Sequence, residues 1–181
     1  GGFITRFHIQ SLIGVRNCEV LGVMSRTESS AEESASLART IGVGQAKAFK
    51  TISEMVIHPD IDALWICAPN YTRVEVMEEI VNSIENGKGE LIGVACEKPL
   101  GRNVKEAKKV LELTERVGLL DGYLENQVFA PSVTRGKEII WSRGAKATGR
   151  PYLARASEEH SGPHMPWFWE GELQGGGVLN D

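Results

Sequence analysis

The chain has 181 residues, of which 41% are hydrophobic and 24% charged, a composition typical of a globular domain with a substantial buried core. Its formal net charge of -4 excludes a broad basic surface for nucleic acid, and no apolar run approaches the roughly 18 residues of a membrane span. Cys18, Cys67 and Cys96 form no CxxC pair, which argues against a disulfide framework or a zinc site and favours a reducing, cytoplasmic setting.

Apolar runs of strand length alternate with amphipathic segments along most of the chain. The predicted strands are 18–24, 46–49, 62–69, 90–96 and 118–124. The predicted helices are 3–13, 31–41, 51–58, 74–84, 104–117 and 131–143. Ser29 and Ser30 precede Glu32 and Glu33 in two overlapping capping-box registers, so the second helix is expected to begin there. Asn103 is the expected N-cap of the fifth helix.

Strands that are apolar throughout, separated by amphipathic helices, predict the α/β class with a doubly wound parallel sheet, the Rossmann arrangement, covered on both faces. We assign residues 1–149 to this dinucleotide-binding domain and expect its first strand to precede Gly1. The character of the sequence changes near Gly149. Residues 150–181 are expected to begin an α+β substrate domain, with an exposed strand at 151–162 and an irregular stretch rich in Pro, Trp and Gly after it.

In an open parallel sheet, ligands bind beside the carboxyl ends of the strands. Gly1 and Gly2 precede the first helix, and with one or two residues upstream they would supply the later part of a GxGxxG turn. Gly2, Phe3 and Ile4 would then meet a pyrophosphate at the helix N-terminus. A glycine-rich turn before a surface helix is the alternative.

The next strand ends in Ser25 and Arg26, where an NAD-binding unit would normally present an acid to the adenosine ribose. A guanidinium beside a hydroxyl suits a 2'-phosphate, so the pair favours NADP over NAD. Arg26 as a solvated loop residue, or as a side chain stacked on adenine without discrimination, is the alternative.

The strand at 90–96 ends in Glu97, Lys98 and Pro99. A lysine at this edge can donate to a substrate oxygen, stabilise alkoxide charge or relay a proton. Glu97 could orient that lysine or hold a ribose hydroxyl, and Pro99 is expected to follow a cis peptide bond. A solvated Glu–Lys pair before a helix is the alternative.

The stretch EEHSGPHMPWFW holds two histidines and three aromatic residues. His160 and His164 have i, i+4 spacing, but the Gly–Pro pair between them argues against a helix, so we predict no metal site. His164, Trp167 and Trp169 are candidate substrate contacts, since an aromatic ring can stack on a sugar. Packing between the domains is the alternative for the tryptophans.

Four segments taken in order, APN at 68–70, EKP at 97–99, ENQVFAP at 125–131 and GGGVLND at 175–181, resemble the Gfo/Idh/MocA family of oxidoreductases, which includes glucose-fructose oxidoreductase and inositol dehydrogenase. The resemblance covers essentially the whole chain. It implies a nicotinamide-dependent enzyme acting on a hydroxyl or carbonyl carbon of a sugar, polyol or related small molecule.

The family's site residues fall on defined positions of this chain. The resemblance implies that Lys98 is catalytic, that Pro69 and Asn70 line the cofactor, and that Glu125 and Asn126 lie near the nicotinamide. Asp181 matches the family's catalytic aspartate. The general acid/base histidine would lie four residues later, outside this sequence.

The chain also departs from the family pattern. Arg73 stands where family members often carry histidine, and Thr5 replaces a commoner small glycine. Because the first glycine and the histidine fall outside the sequence, we expect truncation at both ends and no competent enzyme from this chain alone. A homo-oligomer, dimer or tetramer, is expected through a C-terminal sheet that this sequence lacks.

Two other functions remain open at this point. A relative without enzymatic activity could use NAD(P) occupancy as a signal to a protein partner, although the presence of both Lys98 and Asp181 counts against it. An isomerase or transferase could hold NAD(P) tightly while the hydride leaves and returns within one site.

Overall fold

The computed structural model describes residues 1–157, 159, 161–163 and 165–179 of the chain. Its strands are β1 (Gly22–Met24), β2 (Lys47–Phe49), β3 (Ala63–Ile66), β4 (Gly93–Glu97) and β5 (Leu120–Leu124). Its α-helices are α1 (Phe3–Ser11), α2 (Glu28–Thr40), α3 (Ile52–Ile57), α4 (Arg73–Glu85), α5 (Val104–Arg116), α6 (Pro131–Glu138), α7 (Ala145–Thr148) and α8 (Gly171–Gln174). A π-helical turn, Ile139–Gly144, joins α6 to α7. Within the described ranges, no helix is both long enough and apolar enough to cross a lipid bilayer.

All strand pairs between the described elements are parallel, as the alternating pattern predicts. β1 pairs with β2, and a second sheet has the order β3-β4-β5. The register places Ile66 beside Cys96 and Glu97 beside Leu124. The ends of β3, β4 and β5 therefore meet at one edge, where a parallel α/β sheet binds its ligands.

The larger core lies between the β3-β4-β5 sheet and helices α4 and α5. Met77, Ile80 and Val81 of α4 have no exposed surface and pack with Leu64 and Val110. Each such side chain stabilises the fold by about 1.5–3 kcal/mol through its burial. This core fixes α4 against the sheet, and it thereby fixes the position of Arg73, the first residue of α4.

Helix α2 packs closely on the smaller sheet because its inward face carries only small side chains. Ala31, Ala35 and Ala38 have no exposed surface. The N-cap of α2 is Thr27, whose hydroxyl accepts from the Ser30 amide, so the prediction that Ser29 or Ser30 caps the helix is wrong. Thr27 is the residue with extended backbone, whereas both serines already lie inside the helix.

The other face of the larger sheet is more open than the sequence predicts. Trp65 of β3 is 49% exposed and Leu120 of β5 is 69% exposed, so helices cover this face incompletely. The strands are also shorter than the apolar runs that predict them: the run 18–24 is a strand only at Gly22–Met24. The exposed strand expected at 151–162 does not form in the described residues of that segment, since none of them pairs with a neighbouring strand.

Candidate functional site

The glycine pair lies against the start of α2. The carbonyl oxygen of Gly1 accepts from the Ser30 hydroxyl at 3.0 Å and the Ser34 hydroxyl at 3.4 Å. A methyl group on Gly1 would lie 2.4 Å from Ser30 Oγ, so only glycine fits this contact. The loop that precedes α2 is therefore held next to the glycine turn.

Gly2 is the N-cap of α1, and it differs from Gly1 in having open space beside it. A methyl group on Gly2 would meet no atom within 4 Å, and no side chain caps the helix. Phe3 and Ile4 form the first turn. A helix N-terminus that has no side-chain cap and has open space beside it suits an anion such as a phosphate group.

Ser25 and Arg26 follow β1 and precede the Thr27 cap. Ser25 is half-buried, whereas Arg26 is exposed. Among the described residues, the Arg26 guanidinium has no carboxylate partner within ion-pair distance. Its charge is thus available at the edge that also carries the glycine turn.

The residues after β3 lie at the same edge. Cys67 is half-buried, and burial, with a smaller contribution from Glu97, raises the pKa of its thiol to about 11. A hydrogen bond with Thr5 of α1 opposes this rise. The thiol is therefore uncharged at neutral pH, and its contact with Thr5 links the end of β3 to the glycine-turn helix.

Asn70 is buried, and its side chain contacts the C-terminal part of the chain. Its Nδ2 donates to the carbonyl oxygen of Gln174 at 2.9 Å. Pro69 is half-buried and its carbonyl oxygen accepts from the Thr72 hydroxyl and amide. The Asn70 side chain thus anchors the C-terminal segment, while the Pro69 backbone shapes the turn.

Glu97 ends β4 with only 7% of its surface exposed. Its Oε1 lies 2.6 Å from Nε2 of His8, on α1, and its Oε2 accepts from the Lys98 amide at 3.0 Å. Both carboxylate oxygens thus have a partner. The His8 contact brings the glycine-turn helix and the Glu97–Lys98–Pro99 turn together, although 89 residues separate the pair.

Arg73 begins α4 and is 4% exposed. Its Nε donates to the Ala68 carbonyl oxygen at 3.0 Å, and its two terminal nitrogens donate to the carbonyl oxygens of Glu97 and Lys98. Burial lowers the pKa of this guanidinium, while Cys96 and Glu97 oppose that shift. One cation thus holds the backbones of two neighbouring strand ends.

Lys98 is half-buried, and the peptide bond that follows it is cis, which confirms the prediction for Pro99. Since Glu97 pairs with Leu124, Lys98 and Glu125 continue from neighbouring strands at the same edge. Burial raises the pKa of Tyr123, Glu125 adds to the rise, and Lys98 opposes it.

Glu125 and Asn126 complete the end of β5. Glu125 is half-buried and its carboxylate accepts from the Gln127 amide, whereas Asn126 is exposed. The amide contact orients the Glu125 carboxylate along the turn that follows β5. Both residues lie at the edge that carries Lys98.

The segment 165–179 packs against this edge from the C-terminal part of the chain. The rings of Trp167 and Tyr71 lie edge to face at 6.0 Å, and Trp169 is 77% exposed. His160, His164 and Asp181 lie outside the described residues. Within the described part of the chain, no group of three or more His, Cys, Asp or Glu side chains could hold a metal ion.

His8 and Tyr71 were not identified from the sequence, and Arg73 was noted only as a departure from the family pattern. The burial of Arg73 could have been predicted from the sequence. Arg73 lies four residues before Met77 and seven before Ile80, and this spacing places it on the face of α4 that packs on the core. His8 lies one turn after Ile4, but a histidine in that position carries no special pattern.

A scan against protein families matches residues 1–121 to the Gfo/Idh/MocA family, described as an oxidoreductase family with an NAD-binding Rossmann fold. The chain is 28% identical to the 1,5-anhydro-D-fructose reductase of Ensifer adhaerens, over 98% of this chain and 50% of that protein. It is 27% identical to the rhizopine catabolism protein MocA of Rhizobium meliloti, over 98% of this chain and 54% of that protein. The chain thus spans about half the length of these curated relatives.

Solved structures share the fold. The structure of GenD2 from gentamicin A biosynthesis, in complex with NAD, superposes with a TM-score of 0.75. The two sequences are 22% identical, and the match covers 99% of this chain and 47% of GenD2. At this identity the similarity supports the Rossmann-type fold alone.

Proposed function

The chain belongs to the Gfo/Idh/MocA family of oxidoreductases, which have an NAD-binding Rossmann fold, and from this premise we propose that it forms the cofactor-binding part of a nicotinamide-dependent dehydrogenase or reductase. The complete protein would move a hydride between the cofactor and a carbon that carries a hydroxyl or carbonyl group. The substrate would be a sugar, a polyol or a related small molecule.

The observation that carries this proposal is the contact between His8 and Glu97. It joins α1, whose N-terminus follows the glycine pair, to the turn that presents Lys98. A phosphate-binding helix end and an amine at one sheet edge are what hydride transfer from a dinucleotide to an oxygen-bearing carbon requires.

The residues at the edge fit a dinucleotide. A methyl group placed on Gly2 would have no protein atom within 4 Å, and the start of α1 lacks a side-chain cap. Gly2, Phe3 and Ile4 would hold the pyrophosphate. The other proposed cofactor contacts are Ser25, Arg26, Pro69, Asn70, Glu97, Lys98, Glu125 and Asn126. The bound nicotinamide supplies or accepts the hydride.

Lys98 is the proposed catalytic residue at the reacting oxygen. When an alcohol is oxidised, its carbon loses a hydride and its oxygen loses a proton, and the ammonium group stabilises the negative charge that develops on that oxygen. Asp181 is the second proposed catalytic residue, and a histidine four residues after it would carry the proton. Glu97 holds the Lys98 amide, which fixes where the lysine side chain starts.

Arg26 supports a preference for NADP. Its exposed guanidinium, next to Ser25, would pair with a 2'-phosphate through forked, charge-assisted bonds. The GenD2 structure contains NAD, so the preference rests on this chain's own residues. In an Arg26→Ala variant we expect NADPH affinity to fall by about 10-fold to 100-fold and NADH affinity to stay nearly constant.

Trp167, Trp169 and His164 are the proposed substrate contacts. Trp167 lies against Tyr71, the residue that follows Asn70. Trp169 is exposed and presents a large aromatic face on which a sugar ring could stack. The name of the Ensifer adhaerens relative, an anhydrofructose reductase, agrees with a sugar-like substrate. A homo-oligomer of the complete protein remains a prediction, which light scattering during gel filtration would test.

The test uses the complete protein that carries this sequence. Tryptophan fluorescence would follow titration with NADH and NADPH, and nicotinamide absorbance would follow turnover on a panel of sugars and polyols. Lys98→Met should lower kcat by about 10²-fold to 10⁴-fold while cofactor affinity changes little. Lys105→Met, an exposed lysine on α5, is the matched control and should behave as wild type.

The outcomes separate the candidate functions. Tight cofactor binding without turnover on any member of the panel would contradict the dehydrogenase proposal and favour a sensing role. Turnover without net change in nicotinamide absorbance would favour an isomerase or transferase. If Lys98→Met and wild type had equal kcat, Lys98 would not be a catalytic residue.

A further inference from the structure

Arg73 is a buried cation that the proposed chemistry does not use. A guanidinium with 4% exposure is costly to bury unless its donors are satisfied. Among the described residues, no carboxylate lies within ion-pair distance of it. Its compensation comes instead from carbonyl oxygens, those of Ala68, Glu97 and Lys98.

These three carbonyl groups all belong to the edge that carries the proposed site. Ala68 precedes the Pro69–Asn70 turn after β3, whereas Glu97 and Lys98 end β4. β3 and β4 pair only as far as Ile66 and Cys96, so backbone bonds of the sheet do not connect the two turns beyond that point. Arg73 connects them: Nε faces one turn and the two terminal nitrogens face the other.

The turn around Lys98 is also held by the Glu97 side chain. The two oxygens of the Glu97 side chain are occupied by His8 and by the Lys98 amide. The Glu97 carbonyl oxygen and the Lys98 carbonyl oxygen are both taken by Arg73. The Lys98 backbone is thus fixed on both sides of its Cα, at its amide by Glu97 and at its carbonyl group by Arg73.

We propose that Arg73 is a positioning residue for Lys98, because its guanidinium sets the distance between the Lys98 backbone and the Pro69–Asn70 turn. This inference rests on the proposed function, in which Lys98 acts on the substrate oxygen. A lysine at position 73 could donate to one or two carbonyl groups as a point charge, but it lacks the planar fork that reaches all three.

Because Arg73 holds the backbone of Lys98, its replacement should slow the reaction more than it weakens cofactor binding. Misplacement of a catalytic group by about 1 Å can lower a rate by about 10²-fold. The proposed phosphate contacts of the dinucleotide, at the glycine turn, α1 and Arg26, are not touched by Arg73 in the described structure, although Arg73 does hold the carbonyl groups of Ala68, beside Pro69, and of Glu97. Loss of Arg73 should therefore lower kcat much more than cofactor affinity. A loss confined to kcat therefore distinguishes positioning from general damage to the fold.

The experiment compares Arg73→Lys, Arg73→His and Arg73→Met in the complete protein, with Arg116→Met as the matched control. Arg116 is an exposed arginine at the end of α5 that pairs with Glu85. We expect Arg73→Lys to lower kcat by about 10²-fold and to change the KM for cofactor by less than about threefold. Arg73→His, whose ring has fewer donors and reaches fewer carbonyl groups, should have a lower kcat than Arg73→Lys, and Arg116→Met should have the kcat of wild type.

A second measurement does not depend on turnover. Reductive methylation followed by mass spectrometry gives the labelling rate of Lys98 relative to Lys105. Release of the Lys98 backbone in Arg73→Lys should raise this ratio by at least about threefold, since a freer side chain samples solvent more often. Arg73→Met removes a donor from each of three carbonyl groups, and that of Glu97 keeps the weak Cys96 thiol as another. If this variant does not fold, the lysine and histidine variants provide the test.

The two measurements separate failure of this inference from failure of the proposed function. A wild-type protein that binds cofactor without turnover, together with a changed Lys98 labelling ratio in Arg73→Lys, contradicts the proposed function and leaves the positioning role standing. A wild-type protein with turnover, together with folded Arg73 variants that keep its kcat, overturns the positioning role whatever the labelling shows. Equal loss of kcat and cofactor affinity would also overturn it.

Discussion

Cys67 shows how the position of a single residue determines its chemistry. It follows β3 directly, beside Thr5 of α1 and within reach of the Glu97 charge. Burial disfavours the thiolate, and the nearby carboxylate adds to this effect, so the pKa rises from the ordinary 9.0 to about 11. A cysteine at this edge is therefore a neutral hydrogen-bonding group rather than a nucleophile at physiological pH.

This shift predicts an alkaline loss of stability. The unfolded chain loses the Cys67 proton near pH 9.0, whereas the folded chain keeps it until about pH 11. Unfolding releases the Cys67 proton in this window. The contribution of Cys67 to the free energy of unfolding is therefore fully present below pH 9.0 and falls as the pH rises towards 11. Wild type should lose on the order of 2–3 kcal/mol more than Cys67→Ala across the window.

Urea unfolding at several pH values between these limits measures the difference. Cys18→Ala, at another half-buried cysteine, serves as the control and should follow the wild-type curve. Parallel curves for wild type and Cys67→Ala would contradict the pKa assigned to the thiol.

The sequence predicts the frame of the site better than its internal contacts. Glu97, Lys98 and Glu125 lie at the edge where their strands were expected to end, because the alternating pattern predicts parallel strands and the carboxyl ends of parallel strands lie at one edge of the sheet. The contacts of His8 and Arg73 depend on side-chain directions across elements that lie far apart in sequence. No local pattern encodes which carbonyl group a buried arginine will reach. The assigned cofactor, substrate and catalytic roles remain predictions.

At the scale of elements, helix α5 follows its sequence signals closely. Asn103 has extended backbone and its side chain accepts from the Glu106 amide at 3.0 Å, as the capping pattern predicts. Glu106 also accepts from Arg102, and this contact lowers the pKa of the Glu106 carboxyl. The start of α5 is thus secured directly after the Lys98 turn.

Loss of this cap should destabilise the protein. Asn103→Ala leaves an amide of the first turn without its acceptor, and the free energy of unfolding should fall by about 1 kcal/mol. Asn82→Ala, in the exposed interior of α4, is the matched control and should be neutral or slightly stabilising, since alanine favours the helix. Denaturant unfolding of both variants checks the prediction, and equal midpoints would show that Asn103 contributes no cap.

Other elements depart from the sequence pattern for identifiable reasons. The α2 cap lies at Thr27 because backbone conformation, rather than the Ser-x-x-Glu pattern, decides which hydroxyl faces the first amides. The run 18–24 forms a strand over only three residues, Gly22–Met24, the length of its pairing with β2. Apolar composition predicts that a strand exists, whereas its length depends on the partner beside it.

At the scale of the whole molecule, the described strands form two parallel sheets, and β1 and β3 do not pair with each other. The segment 165–179 closes onto the carboxyl edge of the larger sheet. Asn70 donates to Gln174, and Arg102 donates to the Glu172 carbonyl oxygen at 2.7 Å. A domain boundary near residue 150 remains a prediction, but this later segment packs with the strand ends rather than apart from them.

Gly175 makes the closest approach in this packing. Its φ of +108° is unfavourable for other residues, and a methyl group on it would lie 2.2 Å from the Arg102 carbonyl oxygen. Gly175→Ala should therefore detach the segment from the edge, with backbone strain alone costing on the order of 1–3 kcal/mol. Gly171→Ala, where a methyl group meets nothing within 4 Å, is the matched control.

Hydrogen–deuterium exchange measures this detachment directly. In Gly175→Ala, the amides of 171–177 should exchange faster, and so should those of 70–72, which lose the Asn70 anchor. If Asp181 is catalytic as proposed, the same variant should lower kcat more than cofactor affinity, because the segment leading to Asp181 moves while the glycine turn does not. Unchanged exchange in both regions would mean that the chain accommodates a side chain at position 175, and the close approach to Arg102 would not hold the segment in place.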